Sequence, residues 1–212
     1  MAEKGSWSSI KKLGLLSTTA LLDLYEINGK ERRQIESQWR KESVTIRHPK
    51  YGEAVIRDQK PLHEGALEKL IDGMSTKEYY QLLNRKTFFW VRKERLVSLL
   101  GARAYRGKAH DVLTVDTGSL VAGHLNEITL SPINSGAIFG SGRRGAHTFS
   151  TISDYHYLDM VKKKGEDAVV ELAVDYAVTD IAEFTIRVEE WKENHPLNTI
   201  WEMGSQYASD HS

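Results

Sequence analysis

The sequence predicts an α+β fold in a single domain over residues 1–193, with an α-rich beginning and a β-rich end. Residues 6–83 are punctuated by helix start and stop signals. From residue 87 onward the chain carries aromatic and alternating apolar runs of the kind that form strands. No internal repeat, low-complexity tract or clear linker divides the two halves.

The elements follow in order. A helix over 6–13 stops at Gly14, a residue suited to a left-handed helix end. Ser17 or Thr18 can cap a helix over 20–27, which ends at Asn28-Gly29. Residues 30–39 are charged, with apolar side chains only at Ile35 and Trp39, and suit an exposed helix with one narrow stripe. Short strands at 44–46 and 54–56 flank the turn His48-Pro49-Lys50-Tyr51-Gly52. Helices follow at 62–71 and, capped by Ser75, at 76–83. An aromatic strand at 87–91 leads into an amphipathic helix over 92–100, stopped by Gly101. Strands are expected at 112–115 and 128–130. Residues 134–145 hold four glycines and two adjacent arginines and read as a mobile loop. The long alternating segments 168–178 and 181–188 are the best strand candidates. Residues 194–212 have little periodicity and are expected to form a partly flexible C-terminal tail.

Bulk composition bounds the function. A chain of 212 residues with 40% hydrophobic and 27% charged residues can pack a core under an ordinary solvated surface. Twenty-nine basic residues balance twenty-nine acidic ones, so no global field draws the protein to nucleic acid or to an anionic membrane. The absence of cysteine excludes disulfides, thiolate zinc sites, iron–sulfur clusters and cysteine nucleophiles. No signal peptide is evident, and no apolar run approaches the roughly 20 residues that span a bilayer. A cytoplasmic location without a membrane partner is therefore expected. The eight histidines include no His-x-x-x-His or His-x-His pair, so no metal is expected.

Strand alternation places Val169, Glu171, Ala173 and Asp175 on one face and Val170, Leu172, Val174 and Tyr176 on the other. Two carboxylates thus stand in an apolar strand, where desolvation or pairing shifts a pKa toward catalytic use. The bland alternative is an exposed face with solvated acids. The two are four residues apart, roughly 13 Å along the strand, and a hydrolase using them as paired carboxylates is a further reading. Ile56-Arg57-Asp58-Gln59-Lys60-Pro61 is densely polar and follows a strand. Arg57 there could clamp a phosphate bidentately, or simply pair with Asp58. The stretch from Gly136 to Gly145 lacks the Gly-Lys-Ser/Thr ending of a phosphate loop. It reads as a flexible substrate loop or a plain surface loop, with His147 and His156 as possible substrate contacts.

Three segments, in this order, resemble the ADP-ribosyltransferase superfamily. Trp7-Ser8-Ser9-Ile10-Lys11-Lys12-Leu13-Gly14-Leu15-Leu16-Ser17 resembles the opening helix of that family. Lys86-Thr87-Phe88-Phe89-Trp90-Val91 resembles its central aromatic strand, and Val169-Val170-Glu171-Leu172-Ala173-Val174-Asp175-Tyr176-Ala177-Val178 the late strand that begins with the catalytic glutamate. The nearest flavour is that of the DNA-modifying toxins and the RNA 2′-phosphotransferases. The whole chain also resembles an uncharacterised bacterial family. One departure is that the first strand, which usually carries a histidine or arginine, is missing or reduced before the opening helix.

The resemblance implies a split β-sandwich with NAD, a substrate, held in a cleft between two small sheets. Glu171 would be catalytic, while Ser17, Arg57, Gln59 and Phe89 would bind NAD, Phe89 stacking on nicotinamide. Arg143, Arg144 and His147 would contact the acceptor, a nucleic acid in slight preference to a protein. A toxin or defence role with an antitoxin partner follows from the same likeness. The alternative is a non-catalytic module that binds a nucleotide, RNA or a protein on the same fold.

Overall fold

The computed structural model describes residues 1–103, 105–138 and 142–204. It mixes helices and strands in an α+β arrangement. The chain divides into two compact units, each built from non-contiguous stretches. One comprises Met1–Leu15, Arg92–Leu125 and the described residues from Val178 on; the other comprises Leu16–Val91 and Asn126–Ala177.

The first unit is built on a four-stranded antiparallel sheet in the order Ala2–Glu3, Ala109–Val115, Thr185–Lys192, His195–Glu202. The strand before the helix Trp7–Leu13 spans two residues, Ala2–Glu3. Leu100, Val112 and Trp191 form the core with Met1, Leu96 and Val97 packed against them. The buried Asp111 carboxylate accepts from the N–H groups of Gly5 and Trp7, each at 3.1 Å, and so caps the helix Trp7–Leu13 from a neighbouring strand. Gly14, at φ 91°, ends that helix where an added Cβ would stand 2.5 Å from Thr179 Cα, so only glycine fits.

Two expectations are corrected in this unit. Residues 181–188 are not one strand: Ile181–Phe184 is a helical turn and the strand begins at Thr185. Phe184 carries the apolar pattern but lies in that turn. The segment expected as a flexible tail contributes the edge strand His195–Glu202, paired along Thr185–Lys192. It is exposed along most of its length, so backbone hydrogen bonds and not an alternating apolar face define it, and Pro196 is tolerated there. Residues 205–212 of that expected tail lie outside the described residues.

The second unit holds a four-stranded antiparallel sheet in the order Lys86–Trp90, Glu171–Asp175, Ile128–Ser131, Ser150–Thr151. Glu171–Asp175 is central, paired on both sides. The alternating run 168–178 is broken at Tyr176, whose φ is +66°, so only its middle enters the sheet. The helix Thr76–Asn84 begins with a capping box, Ser75 Oγ accepting from Glu78 N–H and the Glu78 carboxylate accepting from Ser75 N–H. It buries Tyr79, Tyr80 and Leu83 with Leu62 and Leu67. A second cluster, Leu22, Tyr25, Ile35, Ile46 and Ile56, joins the helices Thr18–Leu24 and Gly29–Glu36 to the hairpin Val44–His48 and Gly52–Ile56.

Candidate functional site

Glu171 opens the central strand of the second unit and is only 4% exposed. It lies across from Trp90 on one side and Ser131 on the other. Cross-strand partners share a sheet face, so their Cβ atoms stand about 5 Å apart. Ser135, itself buried, donates to Glu171 Oε2 through its backbone N–H at 3.1 Å and its hydroxyl at 2.6 Å. Among the described residues, both hydrogen bonds that hold the carboxyl go to Oε2. Ser135 is fixed in turn: Tyr79 Oη donates to its carbonyl at 3.1 Å.

Arg144 supplies the nearby positive charge. Its guanidinium is buried and donates to the carbonyls of Ala137, at 2.9 Å, and Gly142. Its backbone is stitched to the segment 70–72, Arg144 N–H donating to Leu70 and Asp72 N–H donating to Arg144. Gly145 allows that approach, since an added Cβ would stand 2.3 Å from the Asp72 carbonyl oxygen. Among the described residues Arg144 Nε is buried without a hydrogen-bond partner.

The electrostatics follow from this geometry. Burial pushes the Glu171 pKa from the usual 4.5 up to about 7, against the opposing pull of the Ser135 hydroxyl, the Ser135 N–H and the Arg144 charge. A carboxyl titrating at neutrality serves as a base when ionised and as an acid when not. Burial also pushes the Tyr79 hydroxyl up to about 12, so it acts as a neutral donor. Glu171 is therefore not the solvated acid of the bland reading. Asp175, on the same face, takes a different role: its carboxylate accepts from Lys86 Nζ in an ion pair, and Lys86 also donates to Thr129 Oγ1 at 3.1 Å.

Of the residues singled out in the sequence, Arg144 is one whose charge acts on Glu171. Phe89, the expected stacking residue, pairs with Leu172 and so lies on the opposite face of the sheet from Glu171. Trp90 occupies the position beside the carboxyl. Ser17 is buried as a helix cap, its Oγ accepting from Ala20 N–H at 3.1 Å. Gln59 brackets the chain at residue 40, its N–H donating to the Arg40 carbonyl at 2.7 Å and its Oε1 accepting from Arg40 N–H at 3.3 Å. The Arg57 carbonyl accepts from Arg40 Nε at 2.7 Å, which ties this stretch to residue 40 through its backbone. Arg143 is exposed, 3.8 Å from Asp72, and His147 is exposed on the short turn Ala146–Thr148.

The loop 134–145 is not a mobile strap over its described part, because Ser135, Ala137, Arg144 and Gly145 are buried; Phe139, Gly140 and Ser141 lie outside the described residues. Ser135 and Tyr79 are the site residues that sequence reasoning missed. The only signal for Ser135 was its place beside Gly136 at the head of that loop. Among the described residues no group of three or more His, Asp or Glu could hold a metal. No described helix is long and apolar enough to cross a membrane.

Comparison with known proteins returns neither a curated protein nor a solved structure that matches the chain. A family of unknown function, DUF7002, matches residues 1–185, and the chain belongs to that family.

Proposed function

We propose that this chain is an NAD-using ADP-ribosyltransferase in which Glu171 is the catalytic carboxylate. Nicotinamide leaves with the bonding electron pair of its ribose bond. The ionised Glu171 stabilises the resulting oxocarbenium ion by accepting from the ribose 2′-hydroxyl. The acceptor nucleophile then bonds to the ribose carbon, and its proton passes to Glu171. The observation that carries this reading is a buried carboxyl at the head of a central strand, gripped at Oε2 by Ser135 and titrating at about 7. The likeness of residues 169–178 to the family's catalytic strand adds support. So does the presence of a four-stranded antiparallel sheet in each unit, the raw material of a split β-sandwich.

Trp90 takes the nicotinamide-stacking role expected of Phe89, because it shares the face of Glu171. Arg144 acts as a fixed charge beneath the site. Arg143, with its exposed guanidinium, is left to meet the acceptor, a nucleic acid in slight preference to a protein. A cytoplasmic toxin or defence effector held by an antitoxin partner is the role that fits this chemistry.

The test is nicotinamide release from NAD with and without DNA, RNA and cell lysate, for the wild type and Glu171→Gln. The wild type is expected to release nicotinamide and the variant to lose about 100-fold or more, some 2.7 kcal/mol of barrier. No release under any condition, with no NAD binding by calorimetry, overturns the transferase. One observation favours a second reading, a non-catalytic binding module: Ser17, Gln59 and the Arg144 guanidinium are all engaged in holding the chain. That reading predicts binding of a nucleotide, RNA or protein without release of nicotinamide.

A further inference from the structure

We propose that a cleft on the second unit, lined by Lys30, Arg33, Gln34, Ser37, Gln38 and Lys77, binds a terminal phosphate monoester. Five of these residues recur at i, i+3, i+4, i+7 and i+8 along the helix Gly29–Glu36 and the turn that ends it. That spacing makes one continuous face, and here the face carries cations and amides where a core-facing helix carries apolar side chains. Lys77 reaches the same cleft from the helix Thr76–Asn84.

No acid lines the cleft. Of the acids nearby, Asp23 and Glu36 pair with Arg32 and Glu78 with Ser75. Among the described residues no ion pair neutralises Lys30, Arg33 or Lys77. Glu78 feels the Lys77 charge and Glu31 lies on the same helix as Lys30, but neither lines the cleft, so an anion placed there meets three cations and no acid. The floor of the cleft is built: Ser37 is buried, and its Oγ accepts from Gln81 Nε2 at 3.1 Å, which aims the hydroxyl proton away from Gln81. A planar guanidinium fork beside two ammonium groups and a hydroxyl donor is the chemistry of phosphate recognition.

Size narrows the ligand. The cleft holds about 250 Å³, below the roughly 300–1,000 Å³ of pockets that engulf a cofactor. It has room for the phosphate end of a ligand whose remainder can extend into solvent. A doubly charged monoester also matches three cations better than a singly charged backbone diester. The cleft is separate from the Glu171 site. Lys77 and Gln81, four apart, share one face of their helix, whereas Tyr79 is two residues from Lys77 and turns to Ser135.

The experiment is calorimetry on the full chain at low ionic strength, with glycerol 3-phosphate and with a short single-stranded oligonucleotide carrying or lacking a 5′-phosphate. Glycerol 3-phosphate is expected to bind, more weakly as salt is added. Lys30→Gln, Arg33→Gln and Lys77→Gln combined should weaken it by about 100-fold while far-ultraviolet dichroism stays unchanged. Lys162→Gln, on the exposed helix Tyr157–Lys164, should bind as the wild type does. Tighter binding of the phosphorylated oligonucleotide than of glycerol 3-phosphate would identify a nucleic-acid end as the source, and weaker binding a small metabolite; both support the site. Absence of binding up to about 10 mM overturns it, as does equal binding by the triple variant. Equal binding of the oligonucleotide without its 5′-phosphate also overturns it. Glu171→Gln leaves this binding unchanged, so the outcome is independent of the transferase reading.

Discussion

Replacing Glu171 by glutamine removes a carboxyl that the fold holds in its protonated form well above the usual range. Burial raises its pKa from 4.5 to about 7, while Ser135 and Arg144 pull the other way without winning. The folded chain therefore binds this proton more tightly than the unfolded chain does. Below pH 4.5 both states keep the proton and the fold bears no penalty. Between 4.5 and about 7 the unfolded chain has released it and the folded chain has not, so stability falls as pH rises. Above about 7 both states are ionised and the loss is complete. The gap between 4.5 and about 7, at about 1.4 kcal/mol per pH unit, amounts to about 3 kcal/mol.

Glutamine has nearly the same shape and a carbonyl oxygen that can still accept from Ser135, but it does not ionise. Urea unfolding of the wild type and Glu171→Gln at pH 4.5 and pH 8 measures the difference directly, because all other titrating groups are common to both. The variant's stability relative to the wild type should rise by about 3 kcal/mol from the lower pH to the higher. Should the two units unfold in separate transitions, the change belongs to the one that carries Glu171. A difference that stays flat with pH would refute the argument. A difference that falls with pH would mean that Arg144 and Ser135 outweigh burial, and that Glu171 is an ordinary ionised acid.

Two further variants probe the cradle. Ser135→Ala removes the 2.6 Å hydroxyl bond to Glu171, a bond that favours the ionised form, so the carboxyl should titrate above the wild-type value of about 7 in a carbon-13 carboxyl titration; an equal or lower value would contradict the assigned bond. Gly145→Ala places a Cβ against the Asp72 carbonyl and should destabilise the chain by about 1–3 kcal/mol in urea unfolding, whereas a neutral result would place the close approach in error.

What the sequence made legible follows from which forces are local. The strand at 171–175 could be read because Leu172 and Val174 alternate with Glu171 and Asp175 within five residues. Burial of Glu171 could not, because Ser135, Arg144 and Tyr79 close over it from segments 27 to 92 positions away in the chain. Whether Phe89 or Trp90 shares the face of Glu171 needed the register of the strand pair, and a slip of one residue exchanges the faces. Arg143 and Arg144 are identical as letters, yet one guanidinium is exposed and the other buried among carbonyls. The helix Thr117–His124 carries glycines at 118 and 123 and gave no helical signal; its start is fixed by Asp116, whose carboxylate accepts from Ser119 N–H at 2.7 Å. His195–Glu202 is held as an edge strand by its neighbour's backbone, which no pattern of its own encodes.

The arrangement around Glu171 argues for a site and against a merely structural acid. A core that needed only volume at this position would be served by an apolar side chain or a glutamine, without the loss of about 3 kcal/mol at neutral pH. A core that needed an ion pair would direct Arg144 at the carboxyl, as Lys86 is directed at Asp175, four residues along the same strand. Instead the Arg144 guanidinium donates to the carbonyls of Ala137 and Gly142, so its charge is felt at Glu171 without a hydrogen bond that would lock the proton off. Among the described residues, Ser135 holds one carboxyl oxygen in place with two hydrogen bonds. Such a carboxyl is positioned but not neutralised, and held at a pKa where a proton moves in either direction. Stability is sacrificed for that condition where a proton has to be moved.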